Sequence, residues 1–186
     1  MKKFELTTEF ITNAFGKKLF RIKALVEFGD VKAGELGGYV EKEGNVSQAD
    51  NAWVSGNARV YGDARVSGNA WVYGDARVSG NAWVSGNAWV SGNAWVSGNA
   101  RVYGDARVYG DADYALVQGF GTEFRCTTFY SGKNKKIMVN CGCFHGDLEG
   151  FRKQVKETRN GKIAKEYLMI ADLMEYHFTS EDSSNE

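Results

Sequence analysis

From Asn51 to Asp113 the chain repeats every six residues, and that period limits what it can fold into more than any other feature. Valine stands at 54, 60, 66, 72, 78, 84, 90, 96, 102 and 108, with alanine two positions before each, glycine two positions after, and Asn or Asp following each of those glycines. The unit therefore reads Val, Ser or Tyr, Gly, Asn or Asp, Ala, Trp or Arg, most often as VSGNAW or VYGDAR. Alanine and valine are two apart, so in an extended strand they share a face, and the Trp or Arg between them points to the other. Glycine and Asn/Asp tolerate positive φ and bond locally to backbone, which makes a corner. Six residues thus supply one short strand and one turn, the signature of a parallel β-helix.

On these residues the repeat resembles the left-handed β-helix family, with its aliphatic first and small fifth position in each hexad. It departs at the second position, where the family favours Gly or a small or acidic residue and this chain has Ser or Tyr. The resemblance implies a mainly β fold: a left-handed parallel β-helix of triangular section, three hexads per coil, about three and a half coils over 51–113. Adjacent coils would lie ~4.8 Å apart. The chain has no proline, as a ladder of backbone donors requires.

With one coil per 18 residues, one face carries Trp53, Trp71, Trp89 and Arg107, a second Arg59, Arg77, Trp95 and Asp113, and a third Arg65, Trp83 and Arg101. Tyr61, Tyr73, Tyr103 and Tyr109 flank them. An outward row of tryptophans needs a cover. Three covers suit it: a second copy, a terminal segment folded back, or a nucleobase, nucleotide or sugar ring stacked on the indoles with arginines for phosphate. The resembled family often packs as parallel trimers, so a homotrimer is expected. The binding candidates are Trp53, Trp71, Trp89, Trp95, Tyr73, Tyr103, Arg77 and Arg101. The arginine and tyrosine faces also read as a self-satisfied solvated surface.

Residues 1–50 read as an N-terminal β cap leading into the first coil. Phe20, Ile22 and Ala24 alternate with Arg21, Lys23 and Leu25, and Gly29-Asp30 and Gly34 to Gly38 supply turns. The lead-in RIKALVEFGDVKAGELGGYVE is similar to that of a group of poorly characterised bacterial and phage hexapeptide-repeat proteins, over Phe20 to Asp113. Past Asp113 the register is lost. Strand-like runs Phe124–Tyr130 and Lys135–Cys141 flank Ser131-Gly132-Lys133-Asn134 as a hairpin. Asp147 caps a helix with Leu148, Phe151 and Val155 on one face, ending at Asn160-Gly161. A second helix aligns Ile163, Tyr167, Ile170, Met174 and Phe178. The reading is a ββαα domain over 114–178 and a frayed acidic tail over 179–186; words such as CGCFHGDLEGF resemble a small domain recurring in phage-encoded proteins.

The 23 basic and 23 acidic side chains balance, which argues against a general polyanion binder and leaves no strong nucleic-acid signal in the total. Residues 114–178 are mildly basic; Arg152, Lys153, Lys156, Arg159, Lys162 and Lys165 lie close in sequence and offer contacts to nucleic acid or an acidic partner, so Arg152 and Lys156 join the binding candidates, against the alternative of a solvated helical face. No apolar run reaches the length of a membrane span and MKKFELTTEF lacks a signal-peptide core, so a soluble, cytoplasmic protein is expected, in the host cytoplasm if phage-encoded. Three cysteines are expected to stay reduced.

Many members of the resembled family are acyltransferases, which place a general-base histidine beside the coil and a loop excursion around the acyl donor. The repeat has neither; His145 and His177 both lie beyond it. Cys141, Cys143 and His145 form C-x-C-x-H with Cys126 on the preceding strand. This set reads as small apolar packing, as a weakly zinc-like ligand group, or as a Cys143/His145 nucleophile pair. No motif for a cofactor is found. The expectation is a non-enzymatic binding or assembly protein; the phage resemblance implies one that inhibits or sequesters a host defence protein or a nucleotide signal. The alternatives are an atypical acyltransferase or a structural virion component.

Overall fold

A computed structural model describes residues 1–110, 113–123 and 125–179. The chain divides into two compact units, Met1–Asp111 and Ala112–Glu186.

In the first unit every hexad folds as its pattern dictates. Trp or Arg plus valine form ten two-residue strands among the described residues, β4 (Trp53–Val54) through β13 (Arg107–Val108), one per hexad. Three parallel sheets result, each joining strands three hexads apart. Their inward alanines and valines, from Ala52 to Val108, are all buried. Such burial stabilises by roughly 1.5–3 kcal/mol per valine. Between coils, backbone N–H groups donate to the next coil, as from Trp53 to Ala70 and from Trp71 to Ala88. At the corners the amides form ladders of their own: Asn51 donates to Asn69, Asn69 to Asn87 and Asn87 to Asp105, at 3.0–3.1 Å.

Ahead of the repeat lie β1 (Phe4–Thr12), β2 (Lys18–Ala24) and β3 (Leu36–Val40). β1, β2 and β3 are antiparallel, but β3 then pairs in parallel with the first arginine rung, Tyr39 on Arg59 and Val40 on Val60. Tyr39, Arg59, Arg77 and Trp95 are thus four rungs of one face, and the solenoid has about four turns. Val46 bridges to Val66 in the same way. Six-residue bookkeeping misses this lowest turn because the step from Val46 to Val54 is two residues longer than a hexad. The lengthened corner contains Gln48, whose amide accepts from the backbone N–H of Lys3 and Phe4 and donates to the Phe4 carbonyl. At the open lower end side chains replace the missing coil: Glu41 accepts from Gly62 N–H and Asp50 from Gly68 N–H, both at 2.7 Å.

Lys3 is buried at this end, donating to the carbonyls of Asp50 and Ala52 at 2.7 and 2.8 Å and lying 4.6 Å from the Phe28 ring centre. Burial pulls its ammonium down to about 8, partly offset by the Asp50 charge. Between that value and the ordinary lysine value the unfolded chain binds a proton that the native state does not, so this group's contribution to stability rises with pH across the interval. Thermal melting from about pH 7.5 to 10 is expected to show wild type gaining stability relative to Lys3→Met, and parallel pH profiles would refute this.

The second unit is a four-stranded antiparallel meander, β14 (Tyr114–Phe120), β15 (Arg125–Ser131), β16 (Ile137–Cys141) and β17 (Phe144–Asp147), followed by α1 (Leu148–Thr158) and α2 (Gly161–Thr179). The expected hairpin is β15–β16, and two further strands flank it. β14 escapes sequence reading because its burial does not alternate cleanly, and β17 because it is four residues long behind a tight turn. Asp147 caps α1, accepting from Gly150 N–H at 2.9 Å. Phe129, Val139, Phe151, Val155, Tyr167 and Ile170 are among the core residues, so both helix faces pack as their periodicity implies. Phe124 and most of the expected acidic tail, 180–186, lie outside the described residues; Thr179 closes α2.

Candidate functional site

The 18-residue stacking holds on all three faces: Trp53–Trp71–Trp89–Arg107, Arg59–Arg77–Trp95 and Arg65–Trp83–Arg101. The second sheet ends at Trp95, so Asp113 is not one of its rungs. Exposure is a different matter. Trp53 is 0% exposed, sealed by Phe4 and Phe28, whose rings meet it edge-on at 6.2 and 5.4 Å. β3 passes close by, and a Cβ on Gly37 would sit 2.7 Å from Trp53 Cζ2. The N-terminal segment thus covers the foot of the ladder and leaves Trp53 no surface for a ligand or a second subunit. Trp71 is half-buried.

The exposed indoles are Trp83, Trp89 and Trp95, at 40%, 42% and 42%. They are one full coil, three consecutive NAWVSG words, and so stand on three different faces at one level. The aromatic surface is a girdle rather than a ladder. Each indole is held in place. Trp83 donates to Ser67 Oγ and meets Tyr103 edge-on at 5.8 Å; Trp95 donates to Ser79 Oγ with Arg77 over its ring at 5.8 Å; Trp89 has Tyr73 edge-on at 6.2 Å and Arg107 over its ring at 4.7 Å. Arg101 stacks one rung from Trp83, and burial pushes the Tyr103 phenol up.

One groove opens on the Trp71/Trp89 face. It has a volume of about 300 Å³ and is lined by Trp71 and Trp89, the amides of Asn51, Asn69 and Asn87, and the Gly29-Asp30 turn. Asn51, Asn69 and Asn87 are separated by one coil each, so the stacking arithmetic could have found this amide row. Asp30 could not be found that way, since it comes from the non-repeating cap.

In the second unit Cys141 pairs with Phe144 and Asn140 with His145, because the chain reverses at Gly142, φ +63°, rather than running on as one strand. Cross-strand partners share a face and successive residues alternate, so Cys141 and His145 lie on opposite sides of the sheet. Cys141 Sγ accepts from Thr127 Oγ1 at 3.1 Å, while His145 Nδ1 lies 2.6 Å from Asn140 Oδ1. Cys126 alternates with Thr127 and is therefore on the side away from Cys141. Cys143 sits exposed in the turn instead of packed as a small apolar group. The turn breaks the C-x-C-x-H set apart, and no group of three His, Cys, Asp or Glu among the described residues could hold a metal ion.

Arg152 and Lys156 are both on α1. The Arg152 guanidinium bonds Glu149, Asp172 and Glu175, each at 2.8 Å, tying α1 to α2, and these hydrogen bonds drive its pKa up. Lys156 is exposed. Its neighbours Lys153 and Lys162 face Glu157 and Glu166 one turn away, so part of the basic run is internally paired. No helix among the described residues is long and apolar enough to cross a membrane.

This geometry defines a parallel β-solenoid repeat protein with a small second α+β unit. The repeat is similar to the YdcK Beta solenoid repeat, whose family model matches residues 52–68, 58–74, 70–86, 82–98 and 100–112. No curated protein matches the chain.

Proposed function

We propose that the chain is a non-enzymatic binding and assembly protein, phage-encoded, that self-associates as a homotrimer and holds a host defence protein or a nucleotide signal. The observation that carries this reading is the girdle of Trp83, Trp89 and Trp95, each two-fifths exposed on a rigid frame. Indoles locked by a serine, an arginine or a tyrosine lose little freedom when a partner covers them, which suits an interface. Arg77, Arg101, Tyr73 and Tyr103 border the indoles and supply charge and hydroxyls at the rim. Trp83 and Trp95, away from the groove, serve self-association.

Native mass spectrometry tests this. The wild-type chain is expected at three subunits and the Trp83→Ser, Trp95→Ser double variant at one, with its folding checked by circular dichroism. A wild-type mass of one subunit at micromolar concentration would remove the assembly part of the reading. Extra mass released on denaturation is the expected sign of a retained nucleotide.

A further inference from the structure

We infer that the groove between the Trp71/Trp89 face and the asparagine corner binds a neutral oligosaccharide. Its polar wall is a row of amides one coil apart, ~4.8 Å. Asn51 Nδ2 donates to Asn69 Oδ1, Asn69 Nδ2 to Asn87 Oδ1, and Asn87 Nδ2 to Asp105 Oδ1. Each bond uses one N–H and one lone pair; a primary amide has two of each, so Asn69 and Asn87 each keep a donor and an acceptor for a ligand. A donor and an acceptor on one side chain match the hydroxyls of a sugar, each of which both donates and accepts.

Two residues on from the amides in each coil, Trp71 and Trp89 also line the groove and offer aromatic surface to the C–H face of a pyranose ring. Arg107 stacks on Trp89 and donates to the carbonyls of Asn87 and Ala106, which fixes the indole. At the groove's end stands the exposed Asp30 carboxylate, an acceptor for hydroxyl donors.

Charge selects among ligands. The groove's own lining carries one charge, the Asp30 carboxylate, and the neighbouring Arg107 guanidinium donates to the Asn87 and Ala106 carbonyls, so a neutral ligand meets less repulsion than a phosphate. The volume is at the lower end for ligand sites, and the groove is open, which suits part of an extended chain lying across successive rungs. This inference is independent of the trimer, which uses the faces of Trp83 and Trp95.

The test is isothermal titration of the full chain with hexasaccharides of β-1,4-glucose, β-1,4-N-acetylglucosamine, α-1,4-glucose and β-1,4-mannose, with ATP as the anionic comparison. Saturable binding of at least one saccharide, little changed by added salt, is expected. Trp89→Ala is expected to weaken it roughly tenfold or more and Asp30→Asn several-fold, with Trp83→Ala and Trp95→Ala unchanged. Asp30 is on an exposed turn, so its variant keeps the fold even if Trp89→Ala does not. No binding of any of the four at millimolar concentration overturns the inference, as does binding that survives Asp30→Asn and a folded Trp89→Ala, or ATP binding lost in those same variants. A wild-type chain that is monomeric yet binds saccharide would strike the assembly reading alone.

Discussion

Replacing Gly86 with alanine is expected to destabilise the solenoid by about 3 kcal/mol or more. Two independent penalties meet there. Gly86 has φ +69°, which L-residues adopt at a cost, and a Cβ built on it would lie 2.7 Å from the backbone nitrogen of Gly104 in the next coil. That neighbour is backbone in a hydrogen-bonded stack and cannot turn aside as a side chain would: Asn87 N–H already donates to Gly104 O at 2.8 Å. Gly44→Ala is the control, since its φ is ordinary and nothing lies within 4 Å of the added atom. All five tryptophans belong to the first unit, so urea unfolding followed by indole fluorescence reads this unit alone. Equal midpoints for Gly86→Ala and Gly44→Ala would show that the coils can spread at their corners.

Trp53→Ala is expected to cost about 3–5 kcal/mol by the same measurement, whereas Trp95→Ala, at an equivalent hexad position, is expected to cost about 1 kcal/mol. Trp53 is enclosed by Phe4, Phe28 and the β3 backbone, so truncation leaves a cavity that rigid coils cannot close. Trp95 loses a half-exposed ring, one bond to Ser79 and the Arg77 contact. Trp53→Phe is expected to fall between them, because the buried indole N–H of Trp53 has no acceptor among the described residues and phenylalanine removes that donor along with some volume. Similar losses for Trp53→Ala and Trp95→Ala would mean that the N-terminal cover is not seated in solution.

The repeat's fold was legible because every level of its pattern points the same way. Ala-x-Val puts small and branched groups inside, Gly-Asn/Asp turns the corner, and 18-residue stacking follows from three corners per coil. The second unit's helices were legible for a similar reason, since Asp147, Leu148, Phe151 and Val155 carry cap and period together. Its sheet was half legible. β15 and β16 flank a recognisable turn, whereas β14 and β17 gain strand status from their neighbours rather than from their own residues. The C-x-C-x-H reading depended on β16 running on to His145, and one glycine at positive φ reversed the chain and sent Cys141 and His145 to opposite faces.

The six-residue period, together with the three hexads per coil that the family resemblance implies, specifies which residues lie above one another. It says nothing of which of them meet solvent. Trp53, Trp71, Trp89 and Trp95 are the same letter at the same hexad position, yet one is core, one half-covered and two exposed. The difference comes from Phe4 and Phe28, which reach Trp53 only after the cap has folded onto the lowest turn, and from Gln48, which pins that cap at Lys3 and Phe4. The groove likewise needs Asp30 from the cap beside Asn51, Asn69 and Asn87 from three coils. Contacts between segments so distant in sequence arise from long-range packing, and a local repeat carries no record of them.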